Sequence, residues 1–364
     1  MNKHNLIERI FLQLPIILLL VFISVLYLAL YYETVLLNSS NNVDVVGGFV
    51  NLHDHDIYIK ELATLVGKDV RYELNNDVGI ALIYYAVYVA SGINSIFDIY
   101  IFSLFFNLLF LLLSFFYYNK ICSRHKLSDV ACLFFFLNFS FLYFSQLVNK
   151  DMLTVFTLIY TLYFGIKGRI IFVVLILPFA FLIRQQLALC LLTFLFLISV
   201  RNIFFWLVFS YILSSLAAGY ISANLQLISA ESMGSGFSSF LMSLNSQYYI
   251  GNLILNPVRV IQYFLSVPQS LIHAFGNGRL DLAALLRALT LPMALLALVF
   301  FVKSIFNLKK TLNSESKIYF LLTYSFFLCW LLNPTINARY LMLILPVMVL
   351  GYCYQSEIVK RNGN

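Results

Sequence analysis

The sequence predicts an all-α, polytopic membrane helix bundle of about ten transmembrane helices, each of roughly 20 residues. Three observations predict it. First, 62% of the 364 residues are hydrophobic and only 11% are charged, where an ordinary soluble domain is about 45–50% apolar and about 25% charged. Second, the apolar residues fall in long runs separated by short polar breaks. Third, the basic residues alternate between the two ends of those runs as a membrane topology requires. This composition excludes a soluble enzyme, a disordered chain and a nucleic-acid binder, and it makes the formal charge of +7 a record of topology.

In order, the expected spans are about 11–31, 99–118, 128–147, 152–166, 170–183, 186–200, 203–223, 283–302, 318–332 and 340–354. The first follows Lys3 and Arg9, is too long for a signal-peptide core and has no small-residue cleavage site after it, so it is expected to stay uncleaved. The segment Val78–Ala90 is short for a span. Counting it as one would put Lys120, Arg124 and Lys126 outside, against the positive-inside rule. It is therefore expected to lie at the outer interface. With the N- and C-termini cytoplasmic, 14 of the 23 basic residues fall inside and 12 of the 16 acidic residues fall outside. The spans at 152–166 and 170–183 are shorter than a full crossing, as tilted or re-entrant elements are. Pro178, Pro292 and Pro346 lie within apolar runs and are expected to kink them.

The chain then forms one integral-membrane domain, 1–364, with two long outer loops at 32–98 and 224–282. Any chemistry belongs on that outer face. The five cysteines all sit in or beside apolar segments and form no CxxC pair, which argues against a disulfide framework and a thiolate metal site.

The first outer loop carries His53-Asp54-His55-Asp56 just before an expected helix from Ile57. Asp54 and Asp56 can share a divalent cation, or one can act as a general base. The plainer reading is a solvated loop in which one of them caps the helix. The histidines add only a weak zinc signal, and whether a metal is held is left unknown. Asp77 is a natural cap for the interfacial helix.

Four basic residues are candidate anion ligands. Lys150-Asp151 sits at the outer mouth of a short span, where Lys150 meets a phosphate, the two neutralise each other, or Asp151 caps the helix. Arg184, in Ile183-Arg184-Gln185-Gln186, occupies a tight turn that normally uses Gly, Asn or Pro. Its planar fork suits pyrophosphate or carboxylate, and the plain alternative is snorkelling to the headgroups. Arg339 starts the last span, where a cation opposes the helix dipole unless an anion is near. Arg259 lies on an amphipathic stretch, 256–265, read as an interfacial helix with Pro257 in its first turn, after a Gly/Ser-rich loop at 232–239.

Taken together, the acidic pair in the first outer loop, Asp77-Val78-Gly79 through Tyr84-Tyr85, Gly92 with Ile93-Asn94-Ser95, Phe106-Asn107-Leu108-Leu109, Lys150-Asp151, Arg184, and Arg339-Tyr340 with Pro346 form a pattern. It resembles the C-type integral-membrane glycosyltransferases and the related Wzy-like polymerases of bacterial O-antigen and other surface polysaccharides. The resemblance covers most of the chain as an arrangement of weak motifs. It implies a multi-pass protein of the bacterial inner membrane that uses polyprenyl phosphate- or pyrophosphate-linked sugars at the outer face. It also implies Asp54 or Asp56 as base or ligand of a divalent cation, and Arg184, Arg339, Lys150 and Arg259 as (pyro)phosphate ligands. The chain departs from the larger transferases in ending about ten residues after the last expected span, and from some polymerases in lacking a long Arg-rich central loop. The competing expectation is a transporter or flippase of lipid-linked oligosaccharide. That reading calls for discontinuous helices and charges within the spans.

Overall fold

The computed structural model describes residues 52–66, 76–91, 96–145, 149–224, 247–275, 282–333 and 338–363, with a few single positions between. The Gly/Ser-rich stretch lies outside the described residues, and so does the first expected span apart from Leu14, Leu18, Val21 and Phe22. Every described element is helical. In chain order these are α1 (Leu52–Val66), α2 (Asn76–Ser91), α3 (Ile96–Arg124), α4 (Asp129–Leu133), a 3-10 turn (Phe134–Leu137), α5 (Ser140–Phe144), α6 (Asp151–Ile166), α7 (Ile170–Leu175) and α8 (Leu177–Ile183). There follow α9 (Gln185–Ser199), α10 (Ile203–Asn224), α11 (Gly251–Phe275), α12 (Leu282–Leu289), α13 (Leu291–Phe306), α14 (Leu308–Leu312), α15 (Ser316–Trp330) and α16 (Ala338–Gly363).

Three helices form the centre. Almost every residue of α6 and α15 is buried, and so is α16 from Leu341 to Leu350. Around them α3 packs on α6, α9 on α15, and α13 on α16. The periphery is apolar too. On α10, Phe204, Phe205, Val208, Phe209, Ile212 and Leu213 are all exposed. A helix hydrophobic all round belongs in a protein core or a bilayer, and so large an exposed apolar surface belongs in a membrane. Among the described residues, three helices are both long and apolar enough to cross one: Ser103–Arg124, Ile203–Ala223 and Arg339–Val359. The chain is thus a helical membrane protein.

Hydrocarbon leaves backbone groups no water to bond, so each break in a helix needs a partner within the protein. Two prolines show how this is met. Pro346 lies inside α16 and cannot bond the carbonyl of Met342, four residues back. The Nδ2 of Asn138 donates to that carbonyl instead, at 2.8 Å. Pro257 lies inside α11 and leaves the Leu253 carbonyl open in the same way; the Tyr211 hydroxyl of α10 donates to it at 2.5 Å.

The structure corrects four sequence expectations. The run 128–147 does not form one continuous helix: α4, the 3-10 turn and α5 are separated at Asn138, whose backbone leaves the helical region where its amide reaches α16. Pro257 is not in the first turn of its helix, because α11 starts earlier, at Gly251. The helix expected from Ile57 also starts earlier, at Leu52, so Asp54 and Asp56 stand within its first two turns and not ahead of it. Acidic residues there complement the helix dipole. The run 170–183 breaks at Ile176, with Pro178 in the first turn of α8.

The expected short helix at Val78–Ala90 is α2, which packs on α1 and α8. A Cβ at Gly79 would lie 2.1 Å from the carbonyl oxygen of Leu182, so only glycine permits this backbone-to-backbone approach.

The turns segregate into two ends. At one, the Lys120 and Lys167 ammoniums lie over the Tyr163 ring and His125 pairs with Glu315 at 3.5 Å. At the other lie Lys150, Asp151, Arg184 and Arg339. Between them α6 runs 16 residues, about 24 Å at the usual helical rise. Replacing Asn138 with leucine should remove about 1 kcal/mol by orphaning the Met342 carbonyl. The thermal midpoint of the detergent-purified protein should fall for Asn138→Leu, and also for Tyr211→Phe. An unchanged midpoint in both would show that these carbonyls find other donors.

Candidate anion site at the bundle mouth

The site begins with a local turn. Asn149 donates its amide to the Phe144 carbonyl and accepts the Asp151 backbone N–H at 2.9 Å. This fixes the start of α6. Asn107 braces the same turn, donating to the Ser145 carbonyl at 3.2 Å while accepting from the Tyr84 hydroxyl at 3.4 Å. Through these bonds α2, α3 and α5 all hold the place where α6 starts.

Asp151 is the first residue of α6, and its side chain is fully buried. A buried carboxylate costs several kcal/mol unless it is paired and hydrogen-bonded. Here two guanidiniums share it. Arg184 donates Nη2–H to Oδ1 at 2.5 Å, and Arg339 reaches Oδ2 with Nε at 2.7 Å and Nη2 at 2.6 Å. Charge-assisted bonds of this length are the strong kind.

Each guanidinium arrives by its own backbone device. Arg184 is the one extended residue between α8 and α9, with φ −156° and ψ 124°. Its N–H still bonds the Ala180 carbonyl at 2.9 Å and its own carbonyl receives the N–H of Leu187 at 2.9 Å. The chain therefore turns without leaving these groups open. Arg339 stands in the first turn of α16. The carboxylate beside it resolves the dipole conflict that its position creates.

Aromatic faces line the cations. The Arg184 guanidinium lies 5.6 Å from the Tyr340 ring centre, that of Arg339 lies 5.2 Å from Phe144, and the Lys150 ammonium lies 5.2 Å from Tyr58. Such contacts are worth about 0.5–2 kcal/mol each. Through Tyr58, α1 is brought beside the site.

A second polar layer adjoins the first. Arg259 is buried on α11 and donates Nη1–H to Asn256 Oδ1 at 3.0 Å and to the Leu331 carbonyl at 2.8 Å; its Nη2 bonds the Asn333 carbonyl. The Gln186 amide donates to Asn333 Oδ1 at 2.6 Å. Arg259, Asn333 and Gln186 thus form one polar run, which ends in the first turn of α9, two residues along the chain from Arg184.

The structure thus brings Arg184 and Arg339 onto one group, with Lys150 beside it and Arg259 joined through Asn333 to Gln186. Sequence reasoning missed the role of Asp151. It does not neutralise Lys150 and does not cap α6; it pairs with two arginines from distant turns. Arg184 does not snorkel, since it is only 4% exposed. The side chains of Asp54 and Asp56 lie outside the described residues, although their helix ends up beside Lys150. Among the described residues no three His, Cys, Asp or Glu side chains gather as a metal site would require.

Arg184 and Arg339 thus present two planar forks in a low-dielectric mouth. That arrangement suits a second anion of carboxylate or phosphate geometry. No protein-family model matches the chain, and no curated protein or solved structure is detectably similar to it.

Replacing Asp151 with alanine takes the shared carboxylate from the buried Arg184 and the half-buried Arg339 and should cost about 3–5 kcal/mol. Replacing Arg184 or Arg339 with glutamine leaves Asp151 one partner and should cost less. Thermal midpoints of the three variants test this ranking, and an Asp151→Ala midpoint above both arginine variants would contradict it.

Proposed function

We propose that this protein is a membrane glycosyltransferase or polymerase of bacterial surface-polysaccharide assembly, of the O-antigen type. It takes sugars from a polyprenyl phosphate or pyrophosphate carrier at the outer face of the inner membrane. The observation that carries this reading is the pair of guanidiniums, Arg184 buried and Arg339 half-buried, on the buried Asp151 at the mouth of an apolar bundle. A soluble anion needs no such bundle, whereas an anion carried on a lipid reaches this depth from the bilayer.

In this reading the donor (pyro)phosphate binds Arg184 and Arg339 in competition with the Asp151 carboxylate, and Lys150 and Arg259 extend the cationic wall. Asp54 or Asp56, on α1, accepts the proton of the acceptor hydroxyl. The acceptor oxygen bonds to the anomeric carbon, and the carbon–oxygen bond to phosphate breaks. The departing phosphate keeps the electron pair and is stabilised by the arginines, a contribution of about 10²–10³ in rate for one well-placed donor. A divalent cation on Asp54 and Asp56 would serve the same charge.

A second reading has a specific observation behind it. The helices broken at Asn138 and at Ile176 are of the discontinuous kind that transporters place around a substrate. A flippase of the same lipid-linked oligosaccharide would use the same cations without making a bond.

Two experiments decide. Deleting the gene in its host should abolish the long-chain polysaccharide ladder if the protein is a polymerase, or shift each repeat by one sugar if it adds a single residue. An unchanged polysaccharide would overturn the proposal. Purified protein in detergent, where no compartments exist, should release carrier from a lipid-linked sugar. Arg184→Lys, Arg339→Lys and the double change Asp54→Asn, Asp56→Asn should each cut that turnover by about 100-fold. Lipid movement in vesicles with no turnover in detergent would establish the flippase.

A further inference from the structure

A groove runs down the bundle from the second polar layer. Its back is one face of α15, where Phe320, Tyr324, Phe327 and Leu331 recur at helical spacing over about 17 Å of helix. Leu207 and Val208 of α10 form one wall, and Leu298 and Val302 of α13 form the other. The amphipathic α11 closes one end with Asn256 and Val260, and Phe306 marks the other. The cavity holds about 460 Å³. Its rim, including Val208, Ile261, Val302 and Phe306, is exposed and apolar, so it opens sideways to lipid.

Its polar lining atoms are turned to the protein. The Tyr211 hydroxyl bonds the Leu253 carbonyl at 2.5 Å, the Tyr324 hydroxyl bonds the Leu207 carbonyl at 2.5 Å, and the Asn256 amide bonds Ser215 Oγ at 2.9 Å. No lining residue is charged. What faces the cavity is hydrocarbon, and it accepts an unfunctionalised chain. The closed end is different. There the Arg259 guanidinium donates to two lining residues, Asn256 and Leu331, at 3.0 and 2.8 Å, and to Asn333 beyond the lining. A cation therefore stands at one end of an apolar slot that opens to the bilayer, and a polar run through Asn333 leads from it to Gln186 in the first turn of α9.

We infer that the groove between α10 and α13 seats the hydrocarbon tail of a phosphate-bearing carrier lipid, with the phosphate at the Arg259 end. The inference rests on the proposed lipid-linked substrate and names where its tail lies. Charge and length select the occupant: a single long chain fills the slot, and an anionic head meets the guanidinium only if the chain enters from the mouth. The segment 251–265 of α11 is then the lintel that sets how far the head can sink.

The test uses full-length protein purified in detergent and a polyprenyl phosphate carrying a diazirine at the tail terminus. After illumination and digestion, label should fall on the peptides holding Leu298–Phe306 and Phe320–Tyr324. Unphosphorylated polyprenol with the same diazirine should label them at least about tenfold less. Excess phosphatidylglycerol should not displace the phosphate probe. The groove-filling change Leu298→Trp, in protein that elutes and melts like the parent, should cut labelling by a similar factor.

Label spread elsewhere, equal labelling by the polyprenol, or displacement by phosphatidylglycerol would each overturn the inference; the last would make the groove a berth for ordinary bilayer lipid. Because the labelling is done on the unaltered protein, a misfolded variant does not blunt it. Groove labelling with an unchanged host polysaccharide would overturn the proposed activity and leave the tail site standing. A changed polysaccharide with no groove labelling would do the reverse.

Discussion

Everything near the mouth of this bundle depends on the burial of one carboxylate. Asp151 sits where no water reaches it, and a charge in that position is tolerable only with close, well-oriented partners. Meeting that demand joins three turns far apart in the chain: the start of α6, the extended residue between α8 and α9, and the start of α16. If either arginine moves, the carboxylate loses half its compensation. The turn before α6 is fixed for the same reason, because Asn149 and Asn107 must present Asp151 at one height. The rigidity of the site is therefore a result of electrostatics in a low dielectric, and the apolar packing beneath it supplies that dielectric.

A second constraint is the backbone itself. Pro257 of α11 and Pro346 of α16 open carbonyls that hydrocarbon cannot solvate. Tyr211 and Asn138 answer them from other helices. Each of these two prolines is thus a docking point, since the freed carbonyl accepts a donor that a regular helix would refuse. Asn138 leaves its own helix to serve Met342, so a break in one segment repairs a break in another.

Much of this was legible in the sequence, and the illegible parts share a cause. Composition and charge spacing reveal a helical membrane protein. The oddity of an arginine in a tight turn, and of another at a helix start, marks Arg184 and Arg339 as anion ligands, and the structure brings them onto one anion. The identity of that anion could not be read. Asp151 stands next to Lys150, so adjacency suggests a local pair, but partners 33 and 188 residues away win. The break at Asn138 is hidden for the same reason: its reason lies 204 residues along the chain. On α11 the polar stripe of Asn252, Asn256 and Arg259 depresses hydropathy and makes a 25-residue helix look like a loop with a short interfacial piece. Local pattern reports local propensity, and these features answer to long-range contacts.

The order of synthesis gives the Asp151 cluster a further meaning. Asp151 and Arg184 leave the ribosome close together and can enter the membrane as a neutral pair. Arg339 and the Met342 carbonyl belong to the final helix, so the early-made Asn138 amide and half of the Asp151 carboxylate wait for it. A nascent chain stalled before α16 therefore carries an unmet amide and a half-served charge in the bilayer.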